Sequence, residues 1–218
     1  MASSILAGLS ILMIGDSHLA SPDYLINSLH DKLQQQGAQV HSLGVCGSNP
    51  GDWVKATPGT CGGAERKGSQ AKAVALGGAA ATKPIKQMIA EEKPDLVLIV
   101  MGDNLASYSK PTFAKAWAWQ QTTALTKEIA ATGTKCVWVG PNWGSEGGKY
   151  GKTYARVKMV SAFLNGNVAP CQFVDSLTFS KPGEWITVDG QHLTAAGYNQ
   201  WSDAIRKKLE ESPALKAK

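Results

Sequence analysis

Residues Ile11-Leu12-Met13-Ile14 run without a polar interruption and end on Gly15-Asp16-Ser17-His18. Four apolar residues in a row suit a strand covered on both faces, as in the parallel sheet of an α/β fold. Gly15 permits a sharp turn, and open α/β sheets keep their sites beyond the carboxyl ends of their strands. Ser17 therefore stands where a functional group is expected, although serine is equally a good cap for a following helix.

The rest of the chain repeats the pattern. Strands are predicted at 11–14, 38–45, 94–101, 136–140 and 173–175. Helices are predicted at 21–36, 83–92, 112–132, 154–164 and 194–209, where apolar residues recur at helical spacing and Gly37 and Gly133 supply stops. Such alternation predicts a doubly wound, three-layer α/β/α sandwich around a central parallel sheet of about five strands. With 218 residues, 43% of them hydrophobic, the chain has enough material for one such core. The expectation is a single domain over 1–218, with 1–4 as an added leader and 212–218 as a frayed tail. Between 48 and 82 the composition turns to glycine, alanine, lysine and serine, which predicts a long loop.

Near the far end, Asp189-Gly190-Gln191-His192 precedes the last predicted helix. A serine hydroxyl becomes a competent nucleophile when a base takes its proton, and that base needs an acid to fix its tautomer. Ser17, His192 and Asp189 supply the three roles. The third strand ends on Gly102-Asp103-Asn104, whose carboxamide suits either a simple turn or a donor to a developing oxyanion.

With these residues in view, the chain resembles the SGNH, or GDSL-like, hydrolase family. Four blocks carry the resemblance in order: Gly15-Asp16-Ser17-His18, Gly44-Val45-Cys46-Gly47, Gly102-Asp103-Asn104, and Asp189 to His192. The resemblance implies a flavodoxin-like fold with Ser17 as nucleophile, His192 as base and Asp189 as its orienting acid. It also implies an oxyanion hole from the Ser17 amide, the Gly47 amide and the Asn104 side chain, with no metal or cofactor. Two positions depart from the pattern. His18 stands where leucine is common, and Leu105 where aspartate is usual, leaving Asp103 to order that block. A histidine after the serine resembles the SGNH domains of bacterial proteins that modify polysaccharide O-acetyl groups. The implied activity is removal of O-acetyl groups from an extracellular or periplasmic polysaccharide through an acetyl-enzyme. The alternatives are a polysaccharide O-acetyltransferase using the same triad, and a non-catalytic glycan-binding module.

Three loop tryptophans are candidate substrate contacts. Trp53 either walls the cleft or packs its loop onto the body, Trp143 follows the fourth strand, and Trp185 lies in a loop that would close over the substrate just before Asp189. Trp117 and Trp119 are read as packing residues on a helix, His30 and His41 as structural or solvated, and His18 as a packing or hydrogen-bonding residue. The formal charge of +5 is spread along the chain and lacks the basic-aromatic clustering of a nucleic-acid partner. No stretch reaches the roughly 18 apolar residues of a membrane span. The apolar segment 5–14 is read as the first strand and not as a signal sequence. Expected partners are the acetylated polysaccharide and proteins of exopolysaccharide synthesis. Cys46, Cys61, Cys136 and Cys171 form no Cys-x-x-Cys pair, which argues against zinc. Local order pairs Cys46 with Cys61 and Cys136 with Cys171, which places the protein in the periplasm or outside the cell. Four buried free thiols are the alternative.

Overall fold

The computed structural model describes residues 4–212 and 215, so residues 1–3 of the expected leader and most of the expected tail lie outside it. In chain order the elements are β1 (Ser10–Gly15), α1 (Leu25–Gln35), β2 (Gln39–Val45), β3 (Gly63–Lys67), β4 (Val74–Ala75), α2 (Ile85–Glu92) and β5 (Leu96–Val100). They continue with α3 (Asp103–Ala106), α4 (Lys115–Ala130), β6 (Lys135–Val139), α5 (Tyr154–Asn167), β7 (Gln172–Val174) and α6 (Ala195–Glu210). The strands form one sheet in the order β4-β3-β2-β1-β5-β6-β7. Pairing is parallel from β2 through β7, and β3 and β4 extend the β2 edge in antiparallel fashion.

The uninterrupted apolar runs follow from this layering. Ile11 and Met13 face a core shared with Leu25, Leu29, Trp201 and Ile205 of α1 and α6, whereas Leu12 and Ile14 face one built by α2, α4 and α5. Successive side chains point to opposite faces of the sheet, so a strand with helices on both sides favours apolar residues at every position.

The sheet has seven strands, two more than expected, and both additions fall in the segment read as a loop. β3 reads Gly-Ala-Glu-Arg-Lys and lacks the β-branched and aromatic residues that mark a strand. Its place comes from the open edge of β2, which it covers from His41↔Lys67 to Val45↔Gly63. The expected tail is also partly anchored: Ser212 donates to Gln172 at 2.6 Å, and Leu215 is buried in the α1/α6 core.

Disulfides join Cys46 to Cys61 and Cys136 to Cys171. The first closes a 15-residue separation, worth ~3 kcal/mol in the chain-entropy account. The second links neighbouring strands, since Val137 pairs with Gln172 in the next register position. Two disulfides fit an extracytoplasmic protein. Among the described residues no helix is long and apolar enough to cross a membrane.

His41 bridges Glu65 and Glu92. His30, fully buried, joins α1 to β2 and to the turn after β3: Nδ1 meets Ser42 Oγ at 2.7 Å and Nε2 meets the Gly68 carbonyl at 2.9 Å. A carbonyl only accepts, so Nε2 carries the proton and Nδ1 accepts from Ser42. Burial pushes the His30 pKa down to about 4 from 6.5. Between those values the unfolded chain binds a proton that the folded protein refuses, so stability falls as pH drops from 6.5 towards 4. The expected loss is about 1 to 3 kcal/mol, at ~1.4 kcal/mol per pH unit with an allowance for solvent screening. Urea titrations of wild type and His30→Gln across this range check it, the variant giving the flatter dependence.

Candidate active site

Three strand ends deliver the first groups. Ser17 opens a short 3-10 turn, Ser17–Leu19, directly after β1, with Asp16 Oδ1 accepting from the His18 amide at 3.1 Å. Gly47 follows β2, and Asn104 lies in α3, which begins three residues after β5. Since β2 and β5 flank β1, Gly47 and Asn104 come from either side of Ser17. Two glycines make the arrangement possible. A Cβ on Gly44 would lie 2.2 Å from the Leu19 backbone, so only glycine lets the Ser17–Leu19 turn rest on β2. Gly47 has φ +81°, which a residue with a Cβ rarely adopts.

His192 arrives from the loop before α6. Thr187 bridges Leu193, and the Val188 amide donates to the His192 carbonyl at 2.8 Å, making a narrow hairpin with Asp189 at its tip. Asp189 Oδ2 lies 2.7 Å from His192 Nδ1, and His192 Nε2 lies 2.7 Å from Ser17 Oγ. A carboxylate accepts, so Nδ1 carries the proton and Nε2 is free to take that of Ser17. Burial by itself would raise the Asp189 carboxyl. Hydrogen bonds from the His192 and Gln191 amides and the His192 ring overcome it and hold the group below its ordinary range. His192 is lowered from 6.5, first by burial and then by the neighbouring His18 ring, against the pull of Asp189. A base must be neutral to act, so with His192 as base the midpoint of the acid limb of kcat/KM is expected below pH 6.5. The acid limb of a pH–rate profile on a short-chain ester checks this.

Asn104 Nδ2 donates one hydrogen to the Ser48 carbonyl at 2.8 Å, which fixes the amide and leaves the second N–H for the pocket that Asn104 lines. Asn104→Ala is expected to lower kcat by roughly 10²–10³-fold with little change in KM, read by steady-state kinetics on the same ester.

Beneath these groups lies a buried cluster that sequence reasoning reached through Asp103 and through His18, read as a packing or hydrogen-bonding residue. The Asp103 carboxylate accepts from Lys152 Nζ at 2.7 Å and Tyr108 Oη at 2.5 Å on one oxygen, and contacts His18 Nε2 at 2.7 Å on the other. His18 Nδ1 in turn meets Tyr198 Oη at 2.9 Å. Burial favours the neutral acid, but the Lys152 ammonium and then His18 outweigh it and hold Asp103 far below the carboxylate range. The Asp103 carboxylate, next to Asn104, thus holds His18, next to Ser17, while both the Asp103 and Lys152 side chains are fully buried. Lys152 follows a glycine-rich loop and carries no sequence signal. Asp16, adjacent to Ser17, is raised chiefly by burial, and its Oδ2 has no partner among the described residues.

Ser17, His192, Gly47 and Asn104 open onto a cavity of about 400 Å³, whose wall includes the Cys46–Cys61 bridge. None of the three candidate tryptophans reaches it. Trp53 is fully buried in the α2/α4 core, because its 3-10 turn, Pro50–Val54, lies on α4. Trp143 Nε1 donates to the Leu177 and Ser180 carbonyls, and its ring packs edge-on against Tyr154. Trp185 is buried with Leu193 and Tyr198 in the core on the α6 face. The aromatic residues around the base are tyrosines instead: Tyr24 stacks on His192 at 5.2 Å, and Tyr150 meets it edge-on at 5.6 Å. A single tyrosine at a helix start or in a loop has no periodicity to betray this.

No family model matches the chain. Its fold is similar to that of a carbohydrate esterase family 3 protein from Talaromyces cellulolyticus, with TM-score 0.60 and 13% identity over 93% of this chain and 97% of that one. A peptidoglycan O-acetylesterase aligns with TM-score 0.57 and 14% identity over 94% and 91%. A GDSL-like lipase from Bacteroides thetaiotaomicron gives 0.56 and 13% over 97% and 92%. In sequence the chain is 39% identical over 223 residues to Protein BcsX of Komagataeibacter xylinus, covering 99% of this chain and 84% of that protein. The chain belongs to the BcsX family, and its fold is that of SGNH hydrolases. The described residues hold a serine, a histidine and an aspartate in hydrogen-bonded sequence at the carboxyl edge of the sheet.

Proposed function

We propose that this SGNH hydrolase is a serine esterase that removes O-acetyl groups from a bacterial polysaccharide outside the cytoplasm, acting as one domain over 1–218. The observation that carries the reading is the Ser17–His192–Asp189 chain, with both links at 2.7 Å, opening onto a pocket beside Gly47 and Asn104. Ser17 Oγ attacks the ester carbonyl as His192 Nε2 takes its proton. The carbonyl oxygen becomes an oxyanion facing the Ser17 and Gly47 amides and Asn104 Nδ2. Collapse expels the sugar oxygen, which takes the proton from His192, and leaves acetyl on Ser17. Water, deprotonated by His192, then releases acetate. These steps ask for no metal or cofactor.

The choice of substrate is supported by the pocket lining, which contains no aliphatic residue to receive a long acyl chain. It is supported also by likeness to proteins described as a peptidoglycan O-acetylesterase, an acetyl xylan esterase and a carbohydrate esterase. Acetate release from acetylated glycans, with a short-chain aryl ester as control, tests the reading. Release from one polymer that disappears in Ser17→Ala is the expected result. Aryl-ester turnover with no release from any polymer overturns the deacetylase assignment and favours transfer to an acceptor hydroxyl.

A further inference from the structure

Tyr150 is 38% exposed although its ring lies against the proposed catalytic base. Its position is built, and the loop that carries it is fastened along its length. The Ser145 amide donates to the Gly190 carbonyl at 2.8 Å, Lys149 to Asp189 at 2.9 Å, and Gly147 to Lys152 at 2.8 Å. Lys152, two residues beyond Tyr150, is the fully buried partner of Asp103. A half-exposed aromatic ring held this firmly offers a flat apolar surface at little ordering cost. Beside it, Lys149 Nζ lies 5.4 Å from the ring centroid, and besides the Cys46–Cys61 bridge and Tyr108 the wall includes the polar residues Thr60, Ser107, Ser109 and Gln191.

This combination selects for one shape of leaving group. A pyranose ring shows C–H groups on its faces and hydroxyls around its edge, so it needs an apolar plane and surrounding polar partners together. A plain alkyl alcohol would leave the polar wall unused. We propose that Tyr150 forms the leaving-group subsite, taking the face of the sugar ring that bears the acetyl ester. The proposal rests on the esterase reading and names the specificity-determining residue of that same site.

The experiment compares kcat/KM for methyl 6-O-acetyl-glucopyranoside, which keeps its ring hydroxyls, and for ethyl acetate in wild type, Tyr150→Ala and Tyr150→Phe. Tyr150→Ala is expected to lower the ratio of sugar ester to alkyl ester at least tenfold, through KM, and Tyr150→Phe, which keeps the ring, to retain most of it. A ratio unchanged in Tyr150→Ala, whether or not both activities fall, overturns the subsite. A wild type that hydrolyses ethyl acetate and not the sugar ester also overturns the subsite while the esterase chemistry stands. A wild type that hydrolyses neither overturns the esterase reading and the subsite with it.

Discussion

Ser17→Ala is expected to lower kcat on a short-chain ester by roughly 10⁴- to 10⁶-fold, the range found when a triad nucleophile is removed and only the oxyanion donors and substrate binding remain. At the upper end this is about 8 kcal/mol of transition-state stabilisation. Stability should barely move. Ser17 Oγ bonds only to His192 among the described residues, and His192 stays fixed by Asp189 and by its stack on Tyr24. A melting temperature close to wild type beside a collapsed kcat separates loss of chemistry from loss of fold. Retention of wild-type turnover would sink the covalent mechanism.

The largest effect on stability is expected from Lys152→Met. It strands the Asp103 carboxylate in the interior with only Tyr108 and His18 as partners, and breaking a buried pair from one side costs about 3 to 5 kcal/mol. For a chain of this length each kcal/mol corresponds to about 2–4 °C in melting temperature, so thermal unfolding should shift by roughly 6–20 °C. The pH dependence carries a further signature. In the wild type Asp103 is held far below its ordinary pKa, so its contribution persists above the unfolded value and is lost only in strong acid. Without the ammonium, burial raises the folded pKa, the variant gains from protonation as pH falls, and its deficit narrows. Asp103→Asn combined with Lys152→Met removes the stranded charge and should recover part of the loss, which a double-mutant cycle measures.

What could be read in the sequence were groups attached to regular elements. Ser17, Gly47 and Asn104 lie just past uninterrupted apolar strands, and strand ends of a parallel sheet share one edge, so their approach follows from topology. Asp189 and His192 share a loop before an amphipathic helix. The unread features depend on which way one side chain turns. Trp53, Trp143 and Trp185 all sit in loops, where a large ring is as able to fold inward as to face a ligand, and each of them is buried. Lys152 and Tyr150 belong to a glycine-rich stretch with no period, and the partner that fixes it, Asp103, is 49 residues away in the chain. β3 formed without strand-forming residues because an open β2 edge was waiting for it.

The hydrogen bond from Ser17 to His192 spans 175 positions of the chain. At the roughly 5–20 residues per second of protein synthesis, about 9 to 35 s separate the appearance of the nucleophile from that of its base. Every length beyond residue 104 carries Ser17, Gly47 and Asn104, yet none short of residue 192 has the imidazole that accepts the serine proton. On the esterase reading the nascent chain is therefore silent towards esters until α6, which packs on α1, has been made.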